Sequence, residues 1–193
     1  MRWLLALLVL TITSFTVGCG RFAPPIAPEL IAPGAIRLFV VKTDDTGVLL
    51  SWKSSLKDGR GKELQSIDGY RIYRKLINKQ SDITDQKVKF DLLATLRDLH
   101  VEEREKRRAE ARALGKPGRR IQASAETQAF EYLDSTPTVG ETYLYQIVPF
   151  NQEDVESLSP QSVLILFSGI KSQVTPITSQ LTDTTSDDPL NSL

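Results

Sequence analysis

Short runs of alternating apolar and polar residues follow one another beyond residue 34, with turn residues about every ten positions. In the first run the apolar residues are Ile36, Leu38 and Val40, which places them on one face of a strand. A period of two residues fits these runs better than helical spacing does. Seven strands of a sandwich or barrel are therefore predicted, over 36–40, 48–52, 70–76, 90–96, 128–133, 143–148 and 163–167.

The stretch at about 97–125, between the fourth and fifth predicted strands, breaks this alternation. From Val101 onward it is rich in strong helix formers, and Gly115 supplies a stop. Two charge pairs at i, i+4 spacing each add roughly 0.2 to 0.5 kcal/mol to a helix: Glu102 with Lys106, and Glu103 with Arg107. Because its apolar stripe is narrow, we expect a solvated helical insertion that does not enter a membrane.

Residues 1–18 have the features of a signal peptide. Arg2 precedes an apolar stretch over 3–17, which is too short, and at its end too rich in hydroxyl side chains, for a membrane-spanning helix of roughly 20 residues. The sequence Thr-Val-Gly-Cys at 16–19 resembles the lipobox of bacterial lipoproteins. This resemblance implies diacylglycerol on the sulfur of Cys19, removal of residues 1–18 and acylation of the new amino group. The alternatives are a plain secretory peptide, or an uncleaved anchor with Cys19 as a bystander.

The predicted anchor determines the expected location. Cys19 is the only cysteine, so the chain forms no internal disulfide. Lipid on its sulfur would hold the protein to a membrane of the cell envelope. Gly20 stands where an aspartate retains lipoproteins of enteric bacteria in the inner membrane. The outer membrane is therefore favoured, with the protein at its periplasmic face or at the cell surface.

Two segments of biased composition flank the predicted strands. Residues 19–34 contain prolines at positions 24, 25, 28 and 33, which favour a semi-rigid, extended tether of about 3 Å per residue. Residues 170–193 are rich in Ser, Thr, Asp, Asn and Gln and are expected to form a disordered polar tail. The folded domain is thus expected to span residues 35–169, with the insertion inside it.

Several motifs of this domain resemble successive strands of a fibronectin type III domain; they lie at 48–52, 68–74, 130–134 and 140–147. The resemblance spans about residues 34 to 168. It implies an immunoglobulin-like, seven-stranded all-β sandwich in which Trp52 is the core indole and Tyr143 forms the tyrosine corner. An unrelated β-sandwich is the competing interpretation. Pro149 departs from the pattern, because it cannot donate a ladder hydrogen bond and should mark the end or a bulge of the sixth strand.

Charge is balanced over the whole chain but not locally. The 24 Lys and Arg residues equal the 24 Asp and Glu residues, so no global charge favours nucleic acid. Between positions 104 and 120, however, eight basic residues face two acidic ones. The candidate patch for an anionic partner comprises Arg104, Lys106, Arg107, Arg108, Arg112, Lys116, Arg119 and Arg120.

This patch has two interpretations. It could contact anionic lipid headgroups, lipopolysaccharide phosphates or an acidic partner, with an affinity that falls as salt rises. It could also be a charged helix kept soluble by its own side chains. Nucleic acid is not expected, since the predicted anchor lies outside the cytoplasm and no aromatic residues interleave with the arginines.

Residues suited to catalysis are scarce. The only histidine is His100, on the predicted surface helix, and the only cysteine is assigned to lipid. The residue count therefore argues against a Ser-His-Asp or Cys-His arrangement and against a zinc site, so neither an enzyme nor a cofactor or metal is predicted. The expected function is a non-catalytic, lipid-anchored interaction or scaffold module of the bacterial cell envelope, which binds a protein or an anionic glycan.

Two alternative functions remain open. Residues 19–25 resemble, loosely, the Cys-Gly-Pro-rich start of small lipoproteins that assist lipopolysaccharide and outer-membrane assembly, although they lack the Lys-Gly-Pro core. The other alternative is a carbohydrate-binding accessory of an envelope enzyme. Exposed aromatic residues would favour sugar binding, but Trp52 is expected to be buried.

Overall fold

Two antiparallel sheets form the protein, and the computed structural model describes residues 25–84 and 89–177. One sheet has the strand order β1-β2-β5 and the other β4-β3-β6-β7-β8. The predicted all-β sandwich is confirmed, with eight strands where seven were predicted. The strands are β1 (Arg37–Asp44), β2 (Gly47–Lys53), β3 (Gly69–Leu76), β4 (Asp91–Arg97), β5 (Ala129–Asp134), β6 (Thr142–Phe150), β7 (Gln161–Leu166) and β8 (Gln173–Ile177).

Two α-helices and three 3-10 turns accompany the strands. Helix α1 (Pro28–Ile31) precedes the first strand, and α2 (His100–Ala113) lies between β4 and β5, which confirms the predicted helical insertion. The 3-10 turns are Gln80–Ile83, Gly118–Arg120 and Glu126–Gln128. Gly115 ends α2 at a φ of 68°, with backbone hydrogen bonds from Gly115 to Arg112 and from Lys116 to Ala111. This is a Schellman motif, and it explains why the helix stops where the sequence predicted.

Aromatic side chains fill the space between the sheets. Trp52 is 2% exposed; its ring meets the edge of Tyr70 at 5.5 Å and stacks on Phe130 at 5.8 Å. Tyr143 accepts a hydrogen bond on its hydroxyl from the backbone N–H of Thr138 at 3.0 Å, as a tyrosine corner requires. The predicted roles of Trp52 and Tyr143 are thus confirmed.

The sixth strand ends close to its proline. β6 stops one residue after Pro149, whose carbonyl accepts a hydrogen bond from the N–H of Ser157 at 2.8 Å. The predicted end of the strand at Pro149 is confirmed.

In the first strand, the side chains that face the core are not the ones that the sequence predicts. Ile36 is buried, but Leu38 is 67% and Val40 is 48% exposed, whereas Phe39 and Val41 pack against the core. The pairing register shifts between Arg37 and Val40, and Leu38 has a φ of 49°. A bulge adds one residue and reverses which side chains face inward, so the predicted common face of Ile36, Leu38 and Val40 is wrong.

The eighth strand lies in the predicted tail. Residues 173–177 form β8, which pairs with β7 from Gln173 opposite Leu166 to Ile177 opposite Ser162. Most of its side chains are exposed, because backbone hydrogen bonds hold it rather than apolar burial. Disorder was therefore the wrong prediction for these five residues. The rest of the tail, 178–193, lies outside the described residues.

Candidate functional site

The chain before β1 is docked on the loop between β2 and β3, residues 54–68. Pro33 forms an isolated bridge with Asp58, and Ala32 is buried. Two backbone hydrogen bonds add to the contact: Gly34 N to Lys57 O at 2.8 Å, and Gly59 N to Ala32 O at 3.0 Å. The predicted extended tether is thus wrong for its last residues, since Pro28 begins a helical turn and the chain after it packs on the domain.

Other parts of the N-terminal prediction are not described by the structure. The signal peptide 1–18, the lipidation residue Cys19 and the first part of the tether lie outside the described residues. Within 25–84 and 89–177, no helix is both long and apolar enough to span a bilayer.

The helical insertion packs on the same loop. The Arg104 guanidinium donates to the carbonyl of Leu64 at 2.7 Å and lies 3.2 Å from the carboxylate of Glu63, and its side chain is only 6% exposed. Arg108 reaches Glu63 at 2.7 Å. We call this pole of the sandwich the insertion end; it comprises residues 25–36, the loop 54–68 and the insertion 98–128. The other pole, with the turns at 45–46, 135–141 and 167–172 and the described residues 77–84 and 89–90, is the opposite end.

The side chains of three of the eight predicted patch residues bond to other residues of the protein. Arg104 and Arg108 share Glu63 and Glu105, and Arg107 donates to the carbonyl of Gln122 at 3.0 Å. The expectation of a fully solvated insertion is wrong for this face of α2, where His100, Val101, Arg104 and Ala111 are buried. Composition showed the charge of the helix but not which of its arginines point at the domain.

The other five patch residues are exposed, and their side chains make no hydrogen bond or ion pair with any residue that the structure describes. We call them the exposed basic set: Lys106, Arg112, Lys116, Arg119 and Arg120. Arg112 and Arg119 line a shallow depression of about 550 Å³ beside the paired Glu63 and Glu105. The structure therefore divides the predicted patch into cations that hold the insertion in place and cations that face solvent.

A buried carboxylate lies where the insertion leaves β4. Asp98 Oδ1 is 2.8 Å from His100 Nδ1 and accepts the backbone N–H of His100 at 2.9 Å. Its Oδ2 accepts the hydroxyls of Tyr70 at 2.6 Å and Ser54 at 2.8 Å. Burial alone raises the pKa of Asp98, but the hydrogen bonds from His100 and Tyr70 outweigh it and hold this pKa below its ordinary value. An ionised carboxylate thus joins β2, β3 and α2.

This arrangement changes the role expected for the only histidine. His100 is 1% exposed, so its predicted position on a surface helix is wrong. Because an ionised carboxylate only accepts, the proton of the Asp98 contact is on Nδ1. Nε2 has no hydrogen-bond partner among the described residues, so no hydroxyl completes a Ser-His-Asp arrangement there. His100 also lines a cavity of about 260 Å³ with Arg104, Lys57 and Gln128.

Sequence reasoning did not single out Asp98, although one local signal was present. An aspartate two residues before a helix start forms an Asx turn by accepting the backbone N–H two positions on. Asp98 does this toward His100. For metal binding, the described part of the chain contains no group of three or more His, Cys, Asp or Glu side chains suited to an ion.

No protein-family model and no curated protein matches the sequence. The chain is similar to the twitchin kinase region from C. elegans (Fn31-NL-kin-CRD-Ig26), with 16% identity and a TM-score of 0.39 over 71% of this chain and 17% of that one. It is also similar to the third fibronectin III domain of human KIAA0343 protein, with 12% identity and a TM-score of 0.36 over 78% and 92% of the two chains.

The two facing sheets, the buried tryptophan of β2 and the tyrosine corner of β6 decide the fold class. The fold is fibronectin type III-like. Relative to a domain of about 100 residues, this fibronectin type III-like sandwich adds the insertion between β4 and β5. The insertion is where its exposed cations are concentrated.

Proposed function

We propose that this chain is a non-catalytic, lipid-anchored interaction module of the bacterial cell envelope, which contacts an anionic partner through the exposed basic set. One observation carries the proposal: the side chains of five exposed cations have no partner among the described residues, and these cations lie on, or within seven residues after, a helix that Arg104 and Arg108 fix to the sandwich. Cations that are not neutralised internally attract an anionic surface, and a fixed scaffold keeps them together.

The lipid anchor rests on the sequence around Cys19. The run at 16–19 resembles a lipobox, and the preceding residues have the composition of a signal peptide. Stable anchoring takes two signals, such as two acyl chains, or one chain with a polybasic surface. The outer membrane is the proposed location, because Gly20 follows the cysteine.

The anchor is tested by expressing the full chain in a lipoprotein-processing bacterium beside a Cys19→Ala variant. We expect the intact mass of the wild type to show loss of residues 1–18 and gain of diacylglycerol, because the thiolate of Cys19 is the acceptor. We also expect the wild type alone to enter the detergent phase. If neither protein is modified and both stay in the aqueous phase, the anchor is refuted.

The basic surface is tested by retention of the full chain, in detergent, on a dextran sulfate column. A variant with Arg112, Lys116, Arg119 and Arg120 changed to Gln is expected to bind at least tenfold more weakly, because each basic residue near an anionic surface contributes about 1 kcal/mol and about 1.4 kcal/mol is tenfold. The matched control changes Lys42, Lys79, Lys89 and Lys171, all toward the opposite end, to Gln. Equal weakening by both variants would show that only net charge matters and would refute the surface.

A further inference from the structure

The chain segment that leads to the proposed anchor lies at the same end of the sandwich as the exposed basic set. The loop 54–68 contacts the chain before β1 through the bridge of Pro33 with Asp58. The same loop contacts the insertion through the hydrogen bond from Arg104 to Leu64 O. The segment that leads back to Cys19 therefore leaves the domain from the insertion end.

Covalent geometry limits how far this end can lie from a lipid on Cys19. Pro28, the first residue of α1, is nine positions after Cys19 in the sequence. A fully extended chain covers at most about 3.3 to 3.6 Å per residue, so this connection reaches roughly 30 Å. That is close to the length of the sandwich itself, whose strands of up to nine residues rise about 3.3 Å per residue. When the long axis of the sandwich is perpendicular to the bilayer, the opposite end is thus the end farther from the lipid on Cys19.

The exposed basic set, rather than the insertion end as a whole, carries charge that can contact a bilayer. The carboxylates of Glu63 and Glu105 are paired with Arg104 and Arg108, so they do not neutralise the exposed basic set. Anionic lipids attract basic side chains near their surface, and this attraction decays within a Debye length of about 10 Å. An anchor at this end allows the set to come within that range.

We propose that the exposed basic set contacts the anionic phospholipid headgroups of the same membrane that holds the anchor. The sandwich then stands on its insertion end, and its opposite end points away from the bilayer. This inference rests on the lipid anchor of the proposed function, and it identifies the anionic partner of the basic surface as the membrane itself. The acyl chains and the exposed basic set then both attach the protein to the same membrane.

The test measures energy transfer from a fluorophore on the lipidated chain to acceptor-labelled headgroups. The dye is placed on Ala113→Cys, at the end of α2, or on Val139→Cys, where the native side chain is 71% exposed in the loop between β5 and β6. Because the native thiol of Cys19 carries lipid, each variant has one reactive cysteine. The vesicles contain phosphatidylethanolamine and phosphatidylglycerol, or phosphatidylcholine as the neutral control.

We expect strong transfer from position 113 and weak transfer from position 139 on the anionic vesicles, and a smaller difference at high salt or on neutral ones. Changing Arg112, Lys116, Arg119 and Arg120 to Gln should reduce transfer from position 113. Changing Lys42, Lys79, Lys89 and Lys171 to Gln should leave it unchanged.

Vesicle flotation separates this inference from the proposed function. A processed chain that floats with vesicles, yet shows equal transfer from both positions, keeps its anchor and refutes the orientation. If the chain is retained on dextran sulfate but energy transfer from positions 113 and 139 is equal, the basic surface binds a polyanion other than the membrane. This result also refutes the orientation. A chain that does not float refutes the anchor and this inference together.

Discussion

Replacing Asp98 with alanine is expected to lower the free energy of unfolding by about 3 to 5 kcal/mol, the range for removing one member of a buried charged network. The substitution leaves the hydroxyls of Tyr70 and Ser54 and the N–H groups of His100 without their common acceptor. Denaturant unfolding measures the change, with Glu110→Ala, an exposed acid of α2, as the control that stays within about 0.5 kcal/mol. A loss below about 1 kcal/mol would contradict this account of the network.

The difference between wild type and Asp98→Ala should also depend on pH. The folded pKa of Asp98 lies below its ordinary value, so the charged form stabilises the fold above the unfolded pKa, near 3.8. This stabilisation is lost as the pH falls below that value and through the lower folded pKa, because Asp98 then takes up a proton. The two unfolding curves are therefore expected to approach each other in acid.

Two substitutions of Trp52 should have very different effects. Trp52→Ala is expected to cost about 3 to 5 kcal/mol, because it removes the ring that packs against both Tyr70 and Phe130. Trp52→Phe is expected to cost clearly less, because the ring that remains leaves a smaller cavity. The indole N–H is buried and has no hydrogen-bond partner among the described residues, so phenylalanine keeps much of the packing and removes an unsatisfied donor.

Thermal or denaturant unfolding of both variants beside the wild type gives the comparison. Equal losses would mean that the indole N–H contributes a bond of its own or that the site admits no smaller ring. If Trp52→Ala left the free energy of unfolding nearly unchanged, the central position of this side chain in the core would be contradicted.

The strands and the insertion were predictable because each has a strong local signal. Alternation marks strands that bury one face, and a run of helix formers ended by Gly115 marks α2. Trp52 and Tyr143 followed from their places in the fibronectin type III pattern. These features depend on residues close together in sequence.

What the sequence did not reveal depends on contacts between distant segments. The orientation of β1 is reversed by a bulge at Leu38. Which arginines of α2 are engaged is decided by Glu63 and Leu64, about forty residues earlier in the chain. His100 looked like a residue of a surface helix, because nothing in its neighbourhood shows that Ser54 and Tyr70 converge on Asp98.

The last described strand sets a limit on how the chain can be shortened. β8 pairs with the edge of β7 through main-chain hydrogen bonds, and most of its side chains face water. Judged by its sequence alone, this segment could be removed without exposing the core. Ending the chain at residue 169 would leave unpaired those N–H and C=O groups of residues 162–166 in β7 that face β8. Such an uncovered edge is a template on which another copy can add a strand, which leads to aggregation. The exposed residues 173–177 thus serve here as the cover that keeps neighbouring molecules apart.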